Sequence, residues 1–278
     1  MAALVQLVHE EAGRFNRRFV VRLVDGASVE AVLYRGDTLC ISSQVGCAVG
    51  CPFCASGANG LVRPLRLEEL CAQVEAVRAV APGLRRLTLS GVGEPLHCPA
   101  APDFVLWARE LGLPTSLTTS GGPIEKLAHW MREVPHNGIT LSVHAGTEVT
   151  RAKMVPKGPS LERLFGALEA IVPSLSRNRR KKVALAYLLL AGENDADDEL
   201  DAFAARARGL GVFVHLYAYN PVPTSDAKPV TRERYEAAYA RLTSQGLRVR
   251  MSSKARIEAN GGCGTLIARR GLAARGLG

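Results

Sequence analysis

Cys47, Cys51 and Cys54 place three thiols within eight residues. Thiolates select soft metals, and a closed tetrahedral zinc site wants four ligands. No fourth Cys or His follows at finger spacing, and His97 or Cys98 could complete such a site only from a later loop. An iron–sulfur cubane can use three thiolates and leave one iron open for a small molecule to chelate. Two further thiols stand apart: Cys40, seven residues ahead of the triad, and Cys263, close to the C-terminus. Taken alone, Cys40 reads as a core residue of a strand and Cys263 as a thiol on a mobile tail. Gly261, Gly262 and Gly264 around Cys263 suit a loop that must swing. Cys71 falls on the apolar face of an expected helix and reads as core, and Cys98 reads as structural.

The elements that must position these thiols follow a regular rhythm. From Phe19 to Ile41 the pattern is strand, turn, strand, with Asp25-Gly26 and Gly36-Asp37 as turns. A loop runs from Ser42 to about Arg63. Helical and strand patterns then alternate from LRLEELCAQVEAVRAV and RRLTLSG to TRERYEAAYARLTSQG and LRVRMSS. About six βα units imply a parallel sheet covered by helices, fewer than a full eight-stranded barrel. In such sheets the working loops follow the C-terminal strand ends. SGVGEP, TTSGG, SVHAGTE and YAYNPVP each end a strand, which points to one shared site. The expected fold is α/β, a partial (β/α)6 barrel over 42–278. Residues 1–41 form an N-terminal helix and antiparallel β extension.

The bulk properties narrow the class. The chain has 278 residues, 47% of them apolar, enough for a sizeable core. No run of eighteen apolar residues occurs, so no membrane-spanning helix is expected. MAALVQLVHEEAGRF lacks the basic start and cleavage site of a signal peptide and reads as a short amphipathic helix. Seven cysteines in such a chain point to metal, catalysis or core rather than to disulfide staples, and to a cytoplasmic location. The net charge of +9 suits a polyanion such as RNA. RNRRKK at 177–182 and LIARRGLAARG near the C-terminus could touch phosphates; otherwise they are a solvated loop and a frayed tail.

Cys-x3-Cys-x2-Cys with Phe53 before the last cysteine resembles the signature of radical S-adenosylmethionine enzymes. SGVGEP resembles their glycine-rich strand for the methionine end of that cofactor. There Gly93 permits close backbone approach and Glu94 would accept from the amino group. More narrowly, CISSQVGCAVGCPFC is similar to the cluster region of the RlmN/Cfr family of RNA adenine methyltransferases. The similarity continues through GVGEPL, TTSG, LSVHAGTEVTRAKMVP, YNPVP and the late Cys-Gly, over roughly residues 28 to 266.

That resemblance implies a [4Fe–4S] cluster on Cys47, Cys51 and Cys54. It implies S-adenosylmethionine contacts from Gly93, Glu94, Ser120, Ser142, Val143, His144 and Asn220. It makes Cys263 the methyl carrier, Cys40 the thiol that resolves the adduct by forming a disulfide, and Glu30 a general base. Adenine amidine carbons are poor nucleophiles, so simple displacement on the sulfonium methyl fails and radical chemistry is required. The expected partners are ribosomal or transfer RNA and an electron donor such as a flavodoxin or ferredoxin. The expected state is a monomer.

The sequence also departs from the family pattern. Only some eighteen residues precede the first strand, where the family usually carries a helical accessory domain. RIEANGGCGTL replaces a more usual Arg-Gly-x-Asp-Ile-x-Ala-Ala-Cys-Gly-Gln-Leu, and Cys98 stands where Asn is common. These departures leave open a radical methylase or mutase for a small molecule or peptide. A non-catalytic iron–sulfur or zinc protein that binds RNA would require Cys40, Cys263 and Glu94 to be coincidental.

Overall fold

The structure is a computed structural model and describes residues 4–253, 255, 256 and 258. Cys263 and the C-terminal basic tract lie outside the described residues. The chain opens with four strands, β1 (Val5–Ala12), β2 (Asn16–Leu23), β3 (Ser28–Tyr34) and β4 (Thr38–Ile41), then a short pair, β5 (Gln44–Gly46) and β6 (Leu61–Pro64). Alternation follows: α1 (Leu67–Val80), β7 (Arg86–Leu89), α2 (Ala101–Glu110), β8 (Thr115–Thr119), α3 (Ile124–Arg132) and β9 (Gly138–Ser142). After α4 (Glu148–Met154), α5 (Leu161–Ile171) and α6 (Arg177–Arg180) come β10 (Val183–Leu189), α7 (Asp197–Ala207), β11 (Phe213–Ala218), α8 (Arg232–Ser244) and β12 (Arg248–Met251).

Ten strands form one sheet in the order β1-β2-β3-β4-β7-β8-β9-β10-β11-β12. The first four are antiparallel neighbours, and from β4 onward every pairing is parallel. The six expected βα units are present, with β4 as the first barrel strand and β12 closing the series. The sheet therefore runs unbroken across residue 41, where the extension was expected to end.

One strand face is apolar and the other polar. Leu87, Leu89, Leu117, Ile139, Leu141, Leu185, Val214 and Leu216 are buried and belong to the main core. Their alternates Thr88, Ser116, Thr118, Thr140, His215 and Tyr217 line a common cavity with Tyr34. Residues of β3, β7, β8, β9 and β11 thus surround one space, as the wall of a partial barrel does. The helices bury the stripe that sequence periodicity marks. In α5, Leu161, Leu164, Phe165 and Leu168 are buried, and Ser160 accepts from Arg163 N at 3.3 Å to cap the first turn.

The expected N-terminal helix is a strand. β1 pairs antiparallel with β2, and Val5 sits in the core with Leu7 against it. The register slips between Leu7 and His9. That bulge breaks the period of two, so the apolar spacing mimics a helix. No helix among the described residues is long and apolar enough to cross a membrane.

Candidate active site

The loop carrying the three thiols is tied at its base. β5 and β6 pair around it, and Cys47 N donates to Gly60 O at 3.0 Å. Gly46, at φ +78°, passes so close to the Gly60 carbonyl that a Cβ would lie 1.9 Å from its oxygen. No other residue fits this crossing. Cys47 packs with Val49, Met154, Val155, Leu190 and Tyr219, and Cys51 and Phe53 rest on that cluster. Burial pushes the Cys47 thiol up to about 11 and raises Cys51 further. As free thiols both stay neutral, so binding a metal would release their protons.

Three half-buried or buried thiols on one apolar loop fit an iron–sulfur cubane. Among the described residues no three His, Cys, Asp or Glu side chains converge as they would on a single ion. Cys98 is not part of such a cage: it is buried, with its Sγ donating to Leu65 O at 3.5 Å. Cys71 packs against the main core.

The polar strand ends do meet. A cavity of ≈230 Å3 is lined by Cys54 and Phe53 from the loop, Ser90 and Gly91 after β7, Ser142 at the end of β9 and His144 beyond it, and Tyr219 and Asn220 after β11. The hydroxyl of Tyr219 is buried without a hydrogen-bond partner. A buried polar group of this kind signals a place for a ligand. Phe53 meets His144 edge to face at 5.4 Å, which joins the thiol loop to the end of β9.

Gly93, Glu94, Ser120 and Val143 stand behind this cavity rather than in its lining. Glu94 is 3% exposed. Its Oε1 accepts from Leu96 N at 3.1 Å and Thr119 Oγ1 at 2.5 Å. Its Oε2 accepts from Ser120 N and Ser120 Oγ, both at 2.7 Å. The carboxylate's four acceptor positions are taken within the protein. A Cβ on Gly93, at φ +114°, would lie 2.7 Å from Gln44 and from Ser43 Oγ. Gln44 Oε1 in turn accepts from Glu94 N at 2.8 Å. Val143 is fully buried.

Cys40 lies on the polar face of β4, opposite Thr88 of β7. It is fully buried, with Sγ 3.3 Å from Ser90 Oγ, which lies 3.0 Å from Thr88 Oγ1. Ser90 lines both cavities, so one hydroxyl separates the Cys40 thiol from the space beside Cys54. Glu30 shares this face. It is 1% exposed, and its Oε1 lies 3.7 Å from Arg18 Nε. Asn220 Nδ2 donates to the carbonyls of Arg256 and Glu258. Asn16 Nδ2 donates to Ala255 O at 2.6 Å. Two asparagines thus hold the segment that leads toward Cys263.

Three positioning residues carried no signal in the sequence that marked them out. Arg151, 1% exposed, donates to the carbonyls of Ser120, Ser142, Val143 and Pro159. Asn194 donates to His144 O at 2.8 Å and Leu188 O at 2.7 Å and accepts from Leu190 N at 2.8 Å. Glu199 accepts from the backbone of Gly146 and Thr147. Each works from a separate element, so only the fold reveals its target. The T-x-x-T of Thr147, which caps α4 through Thr150 N, was the one local clue to that unforeseen helix.

His144 adopts φ +57°, and its Nδ1 accepts from Leu188 N at 2.9 Å. The ring proton therefore sits on Nε2. Burial, with Arg151 nearby, pushes its pKa from 6.5 down to about 3. Between those values the unfolded chain binds a proton that the folded chain refuses. The resulting stability is present above pH 6.5 and lost as pH falls, at about 1.4 kcal/mol per unit. Urea unfolding is expected to show this loss between pH 6.5 and 5, and His144→Asn, which tolerates positive φ, to remove about 2 kcal/mol of it over that range. An unchanged slope in the variant would contradict the assignment.

Residues 41–204 match the Radical SAM superfamily. The chain is 33% identical over 281 residues to a protein of Aromatoleum aromaticum described as a probable RNA methyltransferase, covering 97% of this chain and 76% of that one. A radical SAM methyltransferase structure from Sphaerobacter thermophilus superposes with a TM-score of 0.83 at 28% identity, over 95% of this chain and 81% of that one. Streptococcus suis SuiB bound to S-adenosylmethionine, at 13% identity and a TM-score of 0.60 over 79% of this chain and 51% of that one, shares the fold alone. The superfamily's cofactors are a [4Fe–4S] cluster and S-adenosylmethionine, and the thiol loop beside the cavity fits the first of them. With the thiol loop, the strand-end cavity and these relatives together, the chain belongs to the radical SAM superfamily, among its RNA methyltransferases.

Proposed function

We propose that this chain methylates a ring carbon of adenine, carbon 2 or carbon 8, in ribosomal or transfer RNA, through a methylated Cys263 and a transient Cys40–Cys263 disulfide. The observation that carries the reading is the Cys40 thiol, buried on the barrel's polar face one hydroxyl away from the cavity at Cys54. A thiol needed only for packing would serve equally well on the apolar face of β4, beside Leu39 and Ile41.

Cys47, Cys51 and Cys54 would hold the cluster, which would supply the electron for reductive cleavage of S-adenosylmethionine, drawn in turn from a flavodoxin or ferredoxin. Ser142, His144 and Asn220 offer polar contacts in the cavity, with His144 Nε2–H as a fixed donor. Glu94 holds the ends of β7 and β8 together through Thr119 and Ser120. Cys263 would carry the methyl carbon, which bonds to the ring after losing one hydrogen atom to the cleaved S-adenosylmethionine, with the surplus electron returning to the cluster. The Cys40 thiolate then attacks the Cys263 sulfur, forming the S–S bond. The C–S electron pair passes to the carbon already bonded to the adenine ring, the ring carbon gives up its own proton to a base, and the methylene takes up a proton to remain on the ring as methyl. Glu30 acts as the base from the same face of the sheet.

RNA as substrate draws support from the edge strand. Arg250 and Arg248 lie 3.9 and 4.5 Å from the Phe213 ring centre, and Arg256 lies 4.3 Å from that of Tyr217. Of these, the Arg256 guanidinium on Tyr217 lines the cavity, where it suits an unstacked base and its phosphate.

The test is a peptide mass map of protein prepared with its cluster assembled. Cys263 is expected to carry a methyl group, and Cys263→Ala to lose methyl transfer while keeping the cluster's absorption spectrum. A bare Cys263 after exposure to S-adenosylmethionine would overturn the proposal.

A further inference from the structure

A second cavity, of ≈270 Å3, opens at the N-terminal ends of β8 and β9, away from the strand ends that carry the candidate active site. Arg109 of α2, His136 and Asn137 of the α3–β9 loop, and Lys182 just ahead of β10 line it, and no carboxylate does. His136 is 3% exposed, and neither of its ring nitrogens has a hydrogen-bond partner. Burial, with Arg179 and Lys182 close by, pushes its pKa down to about 4, so it stays neutral and carries one N–H. A buried donor ordinarily has an acceptor, and the wall of this cavity supplies none to His136.

The cations around it are available. Lys182 Nζ donates to His136 O at 3.2 Å, which leaves its other donors to the cavity. The Arg109 guanidinium has no hydrogen-bond or ion-pair partner among the described residues. Arg179 donates to Met131 O and Val134 O, both at 3.1 Å, which fixes its charge beside the same loop. The basic stretch at 177–182 is thus partly folded onto carbonyls, and its last residue turns into the cavity.

We infer that this cavity binds a phosphate group. The anionic oxygens of a phosphate accept, so one of them satisfies the imidazole N–H, and the charge answers Arg109 and Lys182 together. A neutral ligand would leave both cations without a counter-charge. The group comes either as free phosphate or as a backbone phosphate of RNA that reaches this end of the barrel.

The probe is inorganic phosphate, titrated into isotope-labelled protein at constant ionic strength against chloride. Saturable shifts of the His136 ring and Asn137 amide signals are expected. Arg109→Ala and Lys182→Ala, both at exposed side chains, are each expected to weaken binding about tenfold. A short single-stranded RNA that displaces the phosphate assigns the site to backbone phosphate; retention of phosphate in its presence assigns it to the free anion. No saturable shift with phosphate, or one unaltered in Arg109→Ala, overturns the inference.

Discussion

Cys40→Ala is expected to stop turnover and leave the protein covalently joined to its RNA. In the proposed sequence only the Cys40 thiolate can break the bond between Cys263 sulfur and the new carbon. Without it the adduct forms once and stays. A denaturing gel is expected to show RNA-linked protein approaching one RNA per chain, with no free methylated adenine in the digest. The fold itself is expected to survive, because the change removes a single sulfur from the fully buried face of β4, at a cost of about 1 kcal/mol. Neighbouring Ser90 and Thr88 keep their mutual contact at 3.0 Å. Release of free methylated product from Cys40→Ala would remove Cys40 from the resolving step. Loss of the whole protein would instead mark it as a packing residue.

The parallel sheet was legible because its strands are short apolar runs between helical repeats, a local pattern. The shared cavity was legible for a related reason: polar residues at successive strand ends must converge once the strands are parallel. Ser142, His144 and Asn220 do so. What escaped was phase and reach. A bulge disguised β1. The bonds that hold the Glu94 carboxylate, to Thr119 and Ser120 of the following strand end, were not foreseen. That pairing spans about 25 residues and has no local mark. The stretch RNRRKK was an undivided basic patch in sequence. In the structure Arg179 and Arg180 are bound to backbone carbonyls, and Lys182 faces a cavity. Net charge alone could not separate these uses.

Arg151→Met is expected to destabilise the chain by roughly 3–5 kcal/mol, lowering Tm by about 10 °C. Its guanidinium spans the ends of two strands: Nη2 donates to Ser120 O at 2.8 Å after β8, and Nη1 to Ser142 O at 2.5 Å and Val143 O at 2.9 Å after β9. Nε donates to Pro159 O at 3.0 Å. Methionine fills a similar volume yet leaves these buried acceptors short of a donor, where the penalty is the full desolvation of each. Burial lowers the Arg151 pKa to about 10, still high enough to keep it charged at neutral pH. That charge lies near Cys51 and Glu94 and eases the thiol toward its thiolate. The loss should therefore appear twice, as a lower melting temperature and as weaker retention of the cluster on chelator challenge. Arg151→Lys keeps the charge without the planar fork, so it is expected to recover cluster retention more fully than stability. Equal recovery of both would mean that the charge alone matters and that the carbonyl contacts are incidental. A melting temperature unchanged in Arg151→Met would show that the ends of β8 and β9 are held by other bonds.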